Sequence, residues 1–149
     1  MVRVMASGVF DILHPGHIYY LEEAKKLGDE LVVVVARDST VRKCKHEPIT
    51  NEKMRLAMVS ALKPVDKAVL GYEGDVYRIV QELKPDIIAL GYDQAWDEEK
   101  IRADLEKLGV KVKVVRLPEF AGDLSGTRRI IRKIIDWHTF QKKIEKVEK

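Results

Sequence analysis

The chain has 149 residues, 46% hydrophobic and 34% charged, a balance that describes an ordinary globular domain and excludes a disordered or fibrous chain. Its 27 basic and 24 acidic residues leave a formal charge of +3, too balanced for a nucleic-acid-binding surface. No run nears the roughly 18 apolar residues that span a bilayer, no secretory signal is visible, and the single cysteine, Cys44, excludes an internal disulfide and suits the cytoplasm.

From the N-terminus, "VRVMAS" predicts a short strand. "IYYLEEAKKLG" then carries apolar residues at helical spacing (Tyr20, Leu21, Ala24, Leu27) and stops at Gly28, a C-terminal cap by its position. "ELVVVVA" is a β-branched run of the kind buried on both faces of a parallel sheet. "NEKMRLAMVSAL" reads as a helix that ends before Pro64. The strand "DKAVLG", the helix "DVYRIVQEL", the strand "PDIIALG", the helix "DEEKIRADLEKLG" and the strand "VKVKVV" follow in turn. A last helix covers about residues 125–147, with a stripe at Ile130, Ile131, Ile134 and Ile135. Strands alternating with helices predict an α/β fold, a single doubly wound Rossmann-like domain over residues 1–149 with a five-stranded parallel sheet. Ligands of such folds sit beyond the carboxyl ends of the strands.

The stretch "SGVFDILHPGH" lies at such an end. His14 and His17 bracket a helix start, where Pro15 needs no N–H and Gly16 lets an incoming group approach the backbone. Free N–H groups and the positive end of the helix dipole make this a phosphate site. Two imidazoles there can donate to phosphate oxygens as their charge grows during transfer. Zinc is the rival chemistry, but helical zinc histidines sit at i, i+4, and His46 and His138 complete no ligand pattern. No protein-held metal is expected. Packing alone is the plain alternative.

"GVFDILHPGH" is similar to the G-x-F-D-x-x-H-x-G-H motif of the nucleotidyltransferase superfamily, and the resemblance extends over essentially the whole chain. "ARD", "NEKMR", "ALKPVDKAVLG", "LKPDIIALGYDQ" and "LSGTRR" resemble the small archaeal FAD synthase branch. The resemblance implies that His14 and His17 stabilise the transition state at the α-phosphate, with the acceptor phosphate as nucleophile. It implies nucleotide contacts at Val9, Phe10, His14, Pro15, Gly16, His17, Asp93, Ser125, Thr127 and Arg128. Lys43, and after it Lys45, are expected on a mobile loop between the second strand and the next helix, closing over the substrates as the family's lysine-bearing loop does. Lys43 and Arg128 join the histidines as the catalytic set.

Several residues have two readings. Asp11 is either a turn aspartate or a group that orients the motif loop or helps hold a metal–triphosphate, and Asp38, at the end of the second strand, has the same pair. Arg55 matches a position that reaches the phosphate in relatives, but an ordinary helix-surface arginine would look the same. Asp93 is a helix cap or a ribose partner. Trp96 is a packed aromatic or a platform for a flavin or base. Ser125 and Thr127 are caps, or with Arg128 a second anion site.

Val9 stands where many relatives have Thr, so only its backbone N–H can meet a phosphate. "EFAGDLSGT" lacks the Arg-Thr-Glu-Gly opening of the glycerol-phosphate cytidylyltransferases. The resulting expectation is AMP transfer from ATP to FMN, giving FAD and pyrophosphate, with Mg²⁺ carried on substrate phosphates. The partners are these small molecules, with no nucleic acid or membrane, and a homodimer is the family's suggestion. The rivals are a cytidylyltransferase acting on glycerol phosphate or another small phosphorylated alcohol, and a non-catalytic nucleotide-binding protein.

Overall fold

Leu31 to Val35 offer no polar face, so they can be satisfied only at the middle of a sheet covered on both sides. That is where they lie in the computed structural model, which describes residues 1–44, 46–122 and 126–148. The elements run β1 (Arg3–Gly8), α1 (Pro15–Lys25), β2 (Glu30–Val35), α2 (Asp38–Cys44), α3 (Glu52–Ser60), β3 (Lys67–Leu70), α4 (Arg78–Leu83), β4 (Ile87–Leu90), α5 (Glu98–Lys107), β5 (Lys113–Arg116) and α6 (Thr127–Glu148). The five strands are parallel in the order β3-β2-β1-β4-β5.

Alternate strand residues point to opposite faces and build two cores. Val4, Ala6, Leu31, Val33 and Val35 pack with Leu21 and Ala24 of α1 and Val59 of α3. Met5, Val32, Val34, Ile88 and Leu90 pack with Ile79, Val80 and Leu83 of α4 and Ile101 and Leu105 of α5. Each such side chain contributes about 1.5–3 kcal/mol relative to leaving it exposed. The chain leaves β1 toward β2 on one side and returns later to β4 on the other. The crevice between the β1 and β4 ends is therefore the switch point where ligands of open α/β sheets bind.

Two expectations change. Residues 38–44 are not a loop. They form α2, anchored by the buried Val41, with Asp38 favourably placed in its first turn, so Asp38 opens a helix and β2 ends earlier, at Val35. Gly28 does not cap α1, which ends at Lys25 with Lys26 as its C-cap. A Cβ at Gly28 would lie 2.7 Å from the Val2 carbonyl oxygen, so the glycine permits a close backbone crossing.

The loops that leave β1 and β2 are tied by Arg55, whose side chain is 0% exposed. Its guanidinium donates to Val9 O (2.9 Å), Ala36 O (2.6 Å) and Thr50 O (3.1 Å), and it pairs with Asp38 Oδ1 at 2.6 Å. Beside it, the Asp11 carboxylate accepts from the N–H groups of Ile49 and Thr50, each at 2.8 Å, and from Thr50 Oγ1 at 2.7 Å. Burial pushes both carboxyls up. For Asp11 the bonds from Ile49 and Thr50 more than offset this, and for Asp38 the Arg55 guanidinium does, so both end below the usual range.

A folded carboxyl held below its unfolded value of 3.8 contributes stability that is full above that pH and lost as pH falls through the folded value. Urea midpoints are therefore expected to drop steeply below about pH 4. The Asp38→Asn protein should show a shallower drop, and Arg55→Met should cost on the order of 3 kcal/mol at neutral pH. Equal acid slopes in wild type and Asp38→Asn would show that the pair contributes no linkage.

Candidate active site

The β1 end is shaped by an unusual backbone. Phe10 sits at φ 54°, in the left-handed region that non-glycine residues avoid, and its buried ring folds back over Gly8. A Cβ on Gly8 would stand 2.9 Å from that ring. This sharp turn sends the chain from β1 to the start of α1. The Phe10 ring packs in the core and stands 5.4 Å from the His17 ring.

At the start of α1 the two histidines cap the helix reciprocally. Gly16 N–H donates to His14 Nδ1 at 3.0 Å, and His14 N–H donates to His17 Nδ1 at 3.3 Å. Pro15 occupies the first turn, where its missing N–H costs nothing. The rings lie 3.8 Å apart, inclined by 32°. Because each Nδ1 accepts, the proton of each neutral imidazole is on Nε2, a donor turned away from the cap. Burial lowers the His14 pKa, while the Asp93 carboxylate opposes that shift, so His14 is neutral at pH 7.

Asp93 is exposed in the loop after β4, and Gln94 of that loop donates Nε2 to Ser7 O at 2.9 Å, tying the loop to the β1 end at the switch point. Under that loop, Tyr20 of α1 donates its hydroxyl to Ala89 O at 2.7 Å and accepts from Ser7 N–H at 3.3 Å, bracing β1 against β4. Thr127 opens α6 and donates Oγ1 to Ile12 O at 3.2 Å, so α6 begins beside the motif loop. Arg128 follows it, exposed.

Lys43 lies in the last turn of α2, exposed, and no described contact joins it to the histidines. Lys45 and Ser125 lie outside the described residues. Arg55 is neither of the things its sequence position suggested: it touches carbonyls and Asp38, not the face of the site. Asp11 acts as the tie of the loop at residues 49–50. With both carboxylates engaged, the described residues hold no cluster of three or more His, Cys, Asp or Glu able to hold a metal ion.

A groove of about 500 Å³ runs beside His14, lined by Leu13, Pro15, Ile18, Tyr19, Glu22 and Phe120. The Tyr19 and Phe120 rings stand 5.4 Å apart on its wall. Such an apolar groove beside phosphate donors can take a flat ring joined to a phosphate. Sequence reasoning missed Thr50, Tyr19, Phe120, Gln94 and Arg116. Only Arg116 left a signal, as a cation at the carboxyl end of the last strand, on the binding edge of the sheet.

The Cytidylyltransferase-like family matches residues 5–145. The FAD synthase of Aciduliprofundum boonei is 64% identical over 137 residues, 91% of this chain and 92% of that protein. The FAD synthase of Thermoplasma volcanium is 57% identical over 136 residues, 91% of this chain and 96% of its own. A crystal structure from Thermoplasma volcanium GSS1, described as a lipopolysaccharide core biosynthesis protein, superposes with a TM-score of 0.80 at 61% identity, covering 80% of this chain and 98% of that one. The protein therefore belongs to the cytidylyltransferase-like family of nucleotidyltransferases and is similar within it to FAD synthases.

Proposed function

We propose that the protein is an FMN adenylyltransferase, transferring AMP from ATP to FMN to give FAD and pyrophosphate. The chemistry rests on one observation, the reciprocal cap that fixes both imidazoles at a helix N-terminus beside the switch point. FMN as acceptor follows from the 64% identity to an FAD synthase. A phosphate oxygen of FMN attacks the α-phosphorus of ATP, a new P–O bond forms, and the bond to the bridging β-phosphate oxygen breaks. Pyrophosphate leaves in line. His14 and His17 donate to the α-phosphoryl oxygens, where charge grows in the transition state. Thr127, Arg128 and the N-terminus of α6 with Ser125 form the second anion site, and Lys43 with Lys45 adds positive charge over the substrates. Asp93 meets a ribose hydroxyl. A divalent cation, Mg²⁺, would come with the ATP triphosphate and supply neutralisation of part of its charge, since Mg²⁺ commonly binds through substrate phosphates.

No described helix is long and apolar enough to cross a membrane, and ATP and FMN as substrates favour a cytoplasmic reaction. The proposal includes a homodimer. Ile134, Ile135, Trp137 and Phe140 on α6 are each more than half exposed, a run of apolar surface that favours a partner.

FMN with ATP and Mg²⁺ should yield FAD and pyrophosphate in equal amounts by chromatography. Riboflavin, which lacks the phosphate nucleophile, should yield none. Pyrophosphate release only from CTP and a polyol phosphate would transfer the protein to the cytidylyl reading.

His17→Ala should lower kcat by roughly 10²–10³, the scale of one lost transition-state donor, with a far smaller change in ATP binding. Near-normal turnover would defeat the histidine mechanism.

Sedimentation should show a dimer in wild type and a monomer in Trp137→Glu/Phe140→Glu. A wild-type monomer at assay concentration overturns that part alone.

A further inference from the structure

The loop between β4 and α5 has no regular structure of its own, yet it is tied at several points. Gln94 is the inner tie: its Oε1 accepts from Gly91 N–H at 2.9 Å, and its Nε2 donates to Ser7 O at 2.9 Å, at the end of β1. Arg116, the last residue of β5, is the outer tie. Its Nη1 donates to Gly91 O and Gln94 O, both at 2.8 Å, and its Nη2 donates to Trp96 O. Its Nε pairs with Glu98, the first residue of α5. Three carbonyls of one short loop thus converge on one guanidinium. Packing does not demand this residue, since its side chain is 29% exposed.

Asp93 is carried on the held loop. Its Oδ1 curls back toward the loop start, 3.7 Å from where a Cβ on Gly91 would lie, beside Gln94 Cγ at 3.6 Å. Among the described residues, the charged and titratable groups around His14 are His17 on its own helix, Tyr19 and Glu22 on the shared groove wall, and Asp93 in the loop after β4. Of these, Asp93 alone lies in a loop.

We infer that Arg116 is a positioning residue for adenylyl transfer: its guanidinium holds the Gly91–Trp96 loop, which Gln94 ties to the end of β1, in the shape that sets the Asp93 carboxylate at the crevice between the β1 and β4 ends. The kinetic part of this inference rests on the FMN adenylyltransferase reading, while the geometric part does not. A lysine cannot substitute, because one ammonium on a flexible stem lacks the rigid fork that meets several carbonyls at once. The paired Glu98 offsets the charge of the clamp, so its effect on His14 comes through the loop.

The test uses two effects of opposite sign. Removing the Arg116 cation by itself favours the His14 imidazolium and raises its pKa. Releasing Asp93 from His14 lowers it. The His14 titration is followed by NMR in ligand-free wild type, Arg116→Lys, Arg116→Met, Asp93→Asn and the Arg116→Met/Asp93→Asn double variant. Both Arg116 variants and Asp93→Asn are expected to lower the His14 pKa, and the double variant to lower it no further than Asp93→Asn alone. In the FAD-forming assay kcat/KM for ATP should fall roughly 10²-fold in Arg116→Met, the scale of a misplaced group near reacting atoms. A His14 pKa that is unchanged or raised in the Arg116 variants overturns the inference. Arg116→Lys decides it if thermal unfolding shows that Arg116→Met does not fold. If wild type makes no FAD, the functional reading fails and the His14 titration still decides the role of Arg116.

Discussion

The hydrogen bond from the Gly16 amide to His14 Nδ1 decides which nitrogen of that imidazole keeps its proton. Helix starts are more often capped by Ser, Asp or Asn, whose oxygens accept equally well and ask less of the surroundings. A histidine cap differs in having a second nitrogen. Once Nδ1 is committed to the helix, Nε2–H is left as a donor on a ring that cannot turn. His17 repeats the arrangement by accepting from His14 N–H. Capping and the choice of tautomer are then one device. Most of the nearby oddities serve to keep the α1 start in place. The left-handed Phe10, the side-chain-free Gly8 beneath its ring and the Tyr20 hydroxyl between β1 and β4 are the clearest.

The ends of parallel strands pose a second problem. Their loops turn carbonyl groups toward a crevice where no further strand can pair them, and unpaired buried carbonyls cost free energy. Here guanidinium groups do much of the pairing. Arg55 collects Val9, Ala36 and Thr50 on the β2 side, and Arg116 collects Gly91, Gln94 and Trp96 on the β5 side. A fully buried arginine would be a liability if its donors were idle, but those of Arg55 are spread over three carbonyls and Asp38. The crevice walls are thereby formed before any substrate arrives, which removes an ordering cost from binding.

The parallel sheet was legible because a run such as Leu31–Val35 has only one environment that suits it. The histidine site was legible because Pro15 marks the first helical turn and Gly16 the approach to it. What escaped was orientation. "NEKMR" reads identically whether Arg55 points outward or inward, and only the neighbouring carbonyls of distant loops decide. The sequence of α2 reads as a loop because seven residues with one buried anchor, Val41, are too short for periodicity to show. Gly28 resembled a cap because its true constraint, the Val2 carbonyl, is 26 positions away in the chain. Phe10 matched a binding motif, yet motif membership does not distinguish a backbone contact from a side-chain one.

Acceptor choice is the property least suited to being written as a motif. In the proposed reaction the histidines would meet phosphate oxygens, which every nucleotide offers, so the HxGH pair cannot tell one ring from another. A flat ring is held chiefly by area, and area comes from whichever apolar side chains the loops present. Two such surfaces flank the crevice. One is the groove of Leu13, Pro15, Ile18, Tyr19 and Phe120 on the α1 side. The other is the loop after β4, where Tyr92 and Trp96 are exposed as the chain leads into α5 on the opposite face of the sheet. Neither surface needs a particular residue type beyond bulk and low polarity, and each joins residues from segments without regular spacing. A reaction between two phosphorylated flat-ring compounds requires a polar centre between two apolar surfaces. In this fold the polar centre is built by hydrogen-bond geometry that a motif can encode, and the surfaces by shape that it cannot.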